Sequence, residues 1–303
     1  MRNSPCYPLA PTHDPGRRDS TGSQSPPPTE RDLIRAVEVL YALLGINLLG
    51  YKPNVLQRRL LARVRDTGSA SPAEYLACLE AGGEEAGQEA RRFLASLSVR
   101  VSSFFRDPQV FAALGDRVFP ALLARGQELR VWSAGCSRGQ EAYSLAYTLH
   151  RCARRLEVAP RFTVLGTDVD AGALRQADLG VYSTKLLEGV PEAVRGEMFE
   201  PVAEQRWRVR PQLRRRVRFE TGDVLDPTTH PEEGRFDLVA CRNLLIYLDR
   251  TAQEALILAL RRALRPGGYL VLGSSETVFG RPWRLLEHVD PALRIYRRPH
   301  EAA

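Results

Sequence analysis

From Glu128 onward the chain alternates short apolar runs with helical stretches, and no other feature of the sequence narrows its fold as much. The runs are Leu129–Ser133, Phe162–Leu165, Val217–Phe219, Phe236–Cys241, Tyr269–Leu272 and Leu293–Tyr296. Between several of them lie Gln140–Arg154, Ala171–Ala177 and Thr251–Leu264, which read as helices. Pro266-Gly267-Gly268 stops the last of these and turns the chain into the next strand. Alternation of this kind predicts a mostly parallel sheet covered on both faces, an α/β fold of the doubly wound type. The stretch from Met198 to Thr221 interrupts the pattern. There Trp207 and Val209, then Val217 and Phe219, alternate with basic residues, predicting a small β excursion near 198–221.

The first part of the chain follows a different grammar. Residues 1–29 are rich in Pro, Ser, Thr and Gly, end in Pro26-Pro27-Pro28, and carry too little apolar surface to order themselves. They read as a disordered tail. Thr29 then caps a helix in which Leu33, Val37, Leu40 and Leu44 recur at helical spacing. A second helix follows Pro53, with Leu56, Leu60, Leu61 and Val64 inward and Arg58, Arg59, Arg63 and Arg65 on its other face. Ser71-Pro72 opens a third, and Phe93, Leu94 and Leu97 mark a fourth. The expected division is a helical domain and linker over 30–105 and the α/β domain over 106–303.

Composition excludes several classes. The five cysteines are odd in number and lack C-x-x-C spacing, and the five histidines form no i, i+4 pair, so neither a disulfide framework nor a metal site is expected. Met1 to Asp14 holds no apolar run of the secretory kind, and Ala36–Leu49, interrupted by Glu38, is too short to span a bilayer. A cytoplasmic protein is expected, with no membrane insertion. The formal charge of +7, carried almost wholly by arginine, favours an acidic partner.

Candidate chemistry gathers at the ends of the expected strands. Leu129–Ser133 runs into Ala134-Gly135-Cys136-Ser137-Arg138-Gly139 and then a helix; such a turn lets a ligand approach the backbone or serves only chain reversal. Asp168, just past the second strand, suits both ribose hydroxyls of a nucleoside, or else the N-cap of the next helix, which Asp170 also suits. Gly222-Asp223-Val224-Leu225-Asp226-Pro227 follows a strand and offers a polar group for an adenine amine. Cys241-Arg242-Asn243, with Tyr247 beyond, ends another. The glycine turn lacks the full G-x-G-x-x-G form and offers only Arg138 to a pyrophosphate, which favours S-adenosylmethionine over NAD.

Taken together these segments resemble the chemotaxis receptor glutamate O-methyltransferases of the CheR type. Four stretches carry the resemblance, which spans roughly residues 31 to 298: Ser102-Ser103-Phe104-Phe105-Arg106-Asp107; Val131–Ser137 with Glu141-Ala142-Tyr143-Ser144; Gly166-Thr167-Asp168-Val169-Asp170; and Cys241-Arg242-Asn243-Leu244-Leu245-Ile246-Tyr247. The resemblance implies a Rossmann-like class I methyltransferase domain that binds S-adenosylmethionine and releases S-adenosylhomocysteine. It implies that Asp168 holds the ribose and that Asp223 with Val224 lies by the adenine. Ala134, Gly135, Gln140, Glu141, Arg242 and Asn243 would line the cofactor, with Arg100, Ser102 and Arg106 reaching it from the linker. Tyr247 would stand near the transferred methyl group. The face bearing Arg58, Arg59, Arg63 and Arg65 would meet the acidic helices of a membrane chemoreceptor; on charge alone it reads equally as a solvated surface.

Three departures qualify the match. Gly139-Gln140-Glu141-Ala142 replaces the usual Gly-Glu-Glu-Pro, keeping an acceptor oxygen at Gln140. Arg100 stands where an asparagine is common, and Ser102 where threonine is. No glycine lies between Gly196 and Gly222, so the docking of a receptor's C-terminal tether seen in some members is not expected.

A carboxylate acceptor is anionic at neutral pH, so methyl transfer to it needs alignment and water exclusion rather than a strong base. Arg106 and Tyr247 are the expected catalytic residues in that sense. The competing readings are a methyltransferase with another acceptor, a non-catalytic cofactor-binding scaffold in a chemosensory pathway, and an NAD-dependent oxidoreductase. A nucleic-acid partner is not expected, and nothing demands more than a monomer.

Overall fold

The computed structural model describes residues 27–97 and 102–300, and the chain divides into two compact units between residues 99 and 100. That division falls several residues ahead of the boundary read from the linker.

The first unit is four helices, α1 (Glu30–Leu44), α2 (Pro53–Thr67), α3 (Pro72–Glu80) and α4 (Gly83–Leu97). Their starts follow from local chemistry. Thr29 and Asp32 form a reciprocal capping box, Pro53 and Pro72 occupy first-turn positions whose N–H has no helical partner, and Ser71 caps α3. Leu40, Leu60, Val64, Tyr75, Leu76 and Phe93 make the core. One carboxylate is buried with them. Glu89 is 1% exposed and accepts hydrogen bonds from Arg63 Nε (2.8 Å), Arg63 Nη2 (2.9 Å) and the Tyr75 hydroxyl (3.1 Å). The expectation of one arginine face on α2 is therefore corrected. Arg63 turns inward to Glu89 while also reaching the exposed Asp66, and Arg59 is half-buried; Arg58 and Arg65 are exposed. Burial strips the Glu89 carboxylate of its water, a cost that opposite charge must offset; Arg63 supplies it at close range, and Arg92 adds a longer contact at 3.4 Å.

The second unit opens with α5 (Pro108–Ala113), a π turn over Leu114–Val118 and α6 (Phe119–Leu123). It continues through β1 (Leu129–Ala134), α7 (Gln140–Arg155), β2 (Phe162–Asp168), α8 (Ala171–Leu179), β3 (Val181–Ser183), α9 (Glu192–Met198), β4 (Phe199–Ala203) and β5 (Arg206–Val209). Then come α10 (Pro211–Arg214), β6 (Val217–Thr221), β7 (Phe236–Cys241), α11 (Arg250–Ala263), β8 (Leu264–Leu272), α12 (Arg281–Leu285), β9 (Glu287–Asp290) and β10 (Ile295–Arg297). Seven strands form one sheet in the order β6-β2-β1-β7-β8-β10-β9, parallel from β6 to β8, with β10 antiparallel to both its neighbours. The expected doubly wound, mostly parallel sheet is present. The strand order reverses between β1 and β7, where the fold opens a crevice at the carboxyl ends of the strands.

The β excursion is real but differently bounded. A three-stranded sheet of order β3-β5-β4 draws on Val181–Ser183 and Phe199–Val209, whereas Val217–Thr221 is the edge strand of the main sheet, parallel to β2. Packing decides the difference. Val217 is buried opposite Val164, and the Phe219 ring lies over two glycines: a Cβ at Gly166 would stand 2.7 Å from it, and one at Gly139 would stand 2.8 Å away. Pro266-Gly267-Gly268 falls inside β8 rather than before it, in the part where the β7–β8 register shifts. No helix among the described residues is long and apolar enough to cross a membrane.

Candidate active site

The glycine turn after β1 is tied down to β2. Gly135 N and Cys136 N both donate to Thr167 O, at 2.8 and 2.9 Å, and Gly135, Ser137 and Gly139 have positive φ. Bending the chain this way aims the Ser137 N–H at the Asp168 carboxylate, 2.8 Å away. The other Asp168 oxygen accepts from Asp170 N at 2.9 Å. Asp170 caps α8, accepting from Gly172 N and Ala173 N, so the two carboxylates divide the tasks and Asp168 is not spent on the helix. A carboxylate offers about four lone-pair sites, and its backbone donors leave it able to accept more. Burial pushes its pKa above the ordinary aspartate value, while the backbone N–H bonds from Asp170, Ser137 and Val169 pull it down.

Behind the turn lies an ionic knot. Arg242, at the end of β7, has a nearly buried side chain that donates to Asp107 Oδ2 (2.6 Å), to the Arg106 carbonyl (2.8 Å) and, more weakly, to Glu141 Oε2 (3.4 Å). Ser133 Oγ donates to the other Glu141 oxygen at 2.7 Å. The segment before α5 is held a second way, because Phe105 N donates to Ser144 Oγ, which donates in turn to Gln140 O. Breaking such a buried pair costs roughly 3–5 kcal/mol by the general experience with buried ions. Arg242 and Glu141, expected as lining residues, also join β1, β7, α7 and the stretch Phe105–Asp107.

The remaining candidates occupy neighbouring strand ends. Gly222 N donates to Asp168 O at 3.1 Å, which sets the loop after β6 beside β2. In that loop Asp223 Oδ1 accepts from Leu225 N, and Val224 is buried. Asn243 adopts φ +62, a left-handed conformation that asparagine tolerates better than most residues. Leu244 approaches the glycine turn, 3.5 Å from where a Cβ on Gly135 would be. Tyr247 closes a short 3-10 turn, Leu245–Tyr247, and is half-buried. Ser102 is half-buried and accepts from Gln140 Nε2 through its carbonyl at 3.3 Å. Ala134 ends β1 in the buried core, and Arg106 is half-buried. Arg100 lies outside the described residues.

These residues fit S-adenosylmethionine. The carboxylate at the end of β2 suits ribose hydroxyls, and the glycine turn leaves room over the backbone. Gln140, 1% exposed at the start of α7, has an Oε1 that meets no hydrogen-bond donor among the described residues and is an acceptor for an ammonium or amide group of a ligand. Two contributors escaped the reading of the strand ends. Asp107 stands within the quoted Phe-Phe-Arg-Asp stretch, where it pairs with Arg242. Glu276 lies past β8, 3% exposed, and its only advance signal is a carboxylate after a strand, the signal that found Asp168.

Comparison with known proteins agrees with this geometry. Residues 100–290 match the family model "CheR methyltransferase, SAM binding domain", and residues 31–98 match "CheR methyltransferase, all-alpha domain". A chemotaxis protein methyltransferase of Listeria monocytogenes is 32% identical over 83% of this chain and 92% of its own length. One from Borreliella burgdorferi is 28% identical over 87% of this chain and 93% of its own. A 104.1 kDa protein of Rhodobacter capsulatus is 34% identical over 80% of this chain, which spans only 25% of that protein's length. With both domains matched in order around a strand-end site that suits the methyl donor, the chain belongs to the CheR methyltransferase family and is an S-adenosylmethionine-dependent methyltransferase.

Proposed function

We propose that the chain methylates glutamate side-chain carboxylates of chemoreceptors, giving glutamate methyl esters and S-adenosylhomocysteine. The observation that carries this reading is Asp168, held by backbone donors at the carboxyl end of β2, one strand from the switch point of a domain that matches the family's SAM-binding model. Relatives named chemotaxis protein methyltransferase support the choice of acceptor. Asp168 is assigned to the ribose, Asp223 and Val224 to the adenine, and Gln140 to the methionine end. Ala134, Gly135 and Asn243 form the walls, with Ser102 and Arg106 closing them.

Bound there, the cofactor supplies a methyl group on a positively charged sulfur. The protein's part is to hold the acceptor oxygen in line with it and to strip water from that oxygen. Arg106 orders the cofactor end of the site, and the Tyr247 hydroxyl orients the acceptor carboxylate. On α2 the exposed cations Arg58 and Arg65 meet the acidic receptor helix; Arg63, committed to Glu89, is withdrawn from that role. The scaffold reading is not favoured, since Gln140 retains an acceptor oxygen.

Two measurements test this. Calorimetric titration with S-adenosylhomocysteine should give clear binding that weakens at least about thirtyfold in Asp168→Ala, the loss expected when charge-assisted bonds to two hydroxyls are removed. Radiolabelled methyl transfer to the helical cytoplasmic fragment of a chemoreceptor should yield label that mild base releases as methanol. Base-stable label would point to nitrogen methylation and overturn the ester assignment.

A further inference from the structure

The loop that carries Asn243 and Tyr247 is gripped from both sides. In the turn after β8, the buried Glu276 carboxylate accepts through Oε2 from Gly273 N (2.6 Å) and Asn243 N (2.9 Å), and through Oε1 from Ile246 N (3.4 Å). From α11, Gln253 Nε2 donates to the carbonyls of Leu245 (2.7 Å) and Leu248 (2.9 Å). An acid thus takes the amide hydrogens of the loop while an amide supplies hydrogens to its carbonyls.

The approach of Glu276 is built into the backbone. A Cβ at Gly273 would stand 2.7 Å from Glu276 Oε2 and 2.9 Å from both Asn243 N and its side-chain nitrogen, so only glycine admits the contact. The partners of the carboxylate are backbone amides rather than a cation. Burial disfavours its charge and raises its pKa, and the amides of Gly273, Asn243, Ile246 and Leu245 offset that. A solvated glutamate would close the β8 turn without this cost. What burial adds is the reach to the loop after β7, where Asn243 sits in a left-handed conformation that needs support.

We propose that Glu276 and Gln253 are positioning residues of the site, fixing through the 243–248 loop where Asn243 and Tyr247 stand. The assignment rests on the reading of this pocket as the methyl-transfer site. Its test is Glu276→Gln, which keeps the volume but turns one acceptor oxygen into an NH2 group facing amide hydrogens. Hydrogen–deuterium exchange of segment 242–248 should speed up by roughly tenfold or more, with β7 and β8 unchanged. With a receptor fragment as acceptor, kcat should fall roughly ten- to a hundredfold, while S-adenosylhomocysteine binds more weakly by a clearly smaller factor, because Asn243 is one wall of the pocket and Asp168 and the glycine turn hold the cofactor separately.

Gln253→Leu, a change at a half-buried position, should give the same pattern and carries the test if Glu276→Gln fails to fold. Unchanged loop exchange, a loosened loop with full turnover, or equal losses of turnover and cofactor affinity would each overturn the proposal. If the parent protein transfers no methyl group to the receptor fragment, the acceptor assignment fails, and loop exchange alone decides the clamp.

Discussion

Asp168 is a carboxylate whose task and environment pull in opposite directions. Burial raises its pKa above the ordinary 3.8, while a ligand that donates hydrogen bonds to it favours the charged form. Cofactor affinity should therefore be greatest above the raised value and fall as pH drops through it, earlier than an ordinary aspartate would require. The stability of the ligand-free protein has the opposite sign. A folded pKa above the unfolded one makes the charged form a cost at high pH, and that cost is relieved as pH falls through the folded value toward 3.8. Titrating S-adenosylhomocysteine against pH in the parent and in Asp168→Asn checks this: the variant should bind more weakly and lose the acid limb. A shared acid limb would assign it to another group. Asp168 was legible in the sequence because a strand and a glycine turn frame it. Glu276 was less so, since its partner Asn243 lies 33 residues away and nothing local announces the pairing.

Among the elements, the three parallel strands β6, β2 and β1 illustrate how packing settles what periodicity leaves open. Val217 and Phe219 alternate with basic residues just as Trp207 and Val209 do, and from pattern alone the two pairs belong to one excursion. Phe219 instead needs a floor without side chains, and Gly166 in β2 and Gly139 at the start of α7 provide it. Gly166→Ala should destabilise the protein by about 1–3 kcal/mol, the usual cost of overpacking, because the added carbon would stand 2.9 Å from Cys136 Sγ as well as 2.7 Å from Phe219. Denaturant titration measures the loss. Combining the change with Phe219→Leu should recover part of it, and no recovery would mean that the cysteine sets the limit.

For the molecule as a whole, charge is the property that reaches a partner. The +7 of the chain is spread over arginines with different commitments. Arg242, itself buried, is consumed by the half-buried Asp107 and Glu141, and Arg63 by the buried Glu89, whereas Arg58 and Arg65 remain exposed. Reversing both exposed charges, Arg58→Glu with Arg65→Glu, should weaken methyl transfer to an acidic receptor fragment severalfold at low salt. The deficit should shrink as ionic strength shortens the screening length. Cofactor binding should stay unchanged, and a loss that is equal at high salt would remove electrostatic steering as the cause.

By itself the amino-acid sequence determined the class of fold, because strand and helix periodicities are local and the sheet needs both faces covered. It also favoured the methyl donor, through a glycine turn without a phosphate-binding set and a carboxylate one strand away, and the resemblance of four stretches to the CheR-type enzymes implied that donor. Only the tertiary structure decided which charged side chains serve the ligand and which serve the scaffold. Arg242 meets Asp107 across 135 residues, and Arg63 meets Glu89 across a helix pair, since a buried charge takes whichever opposite charge or backbone dipole the packing brings within reach. That choice is made where elements distant in sequence are pressed together, and no local pattern encodes it.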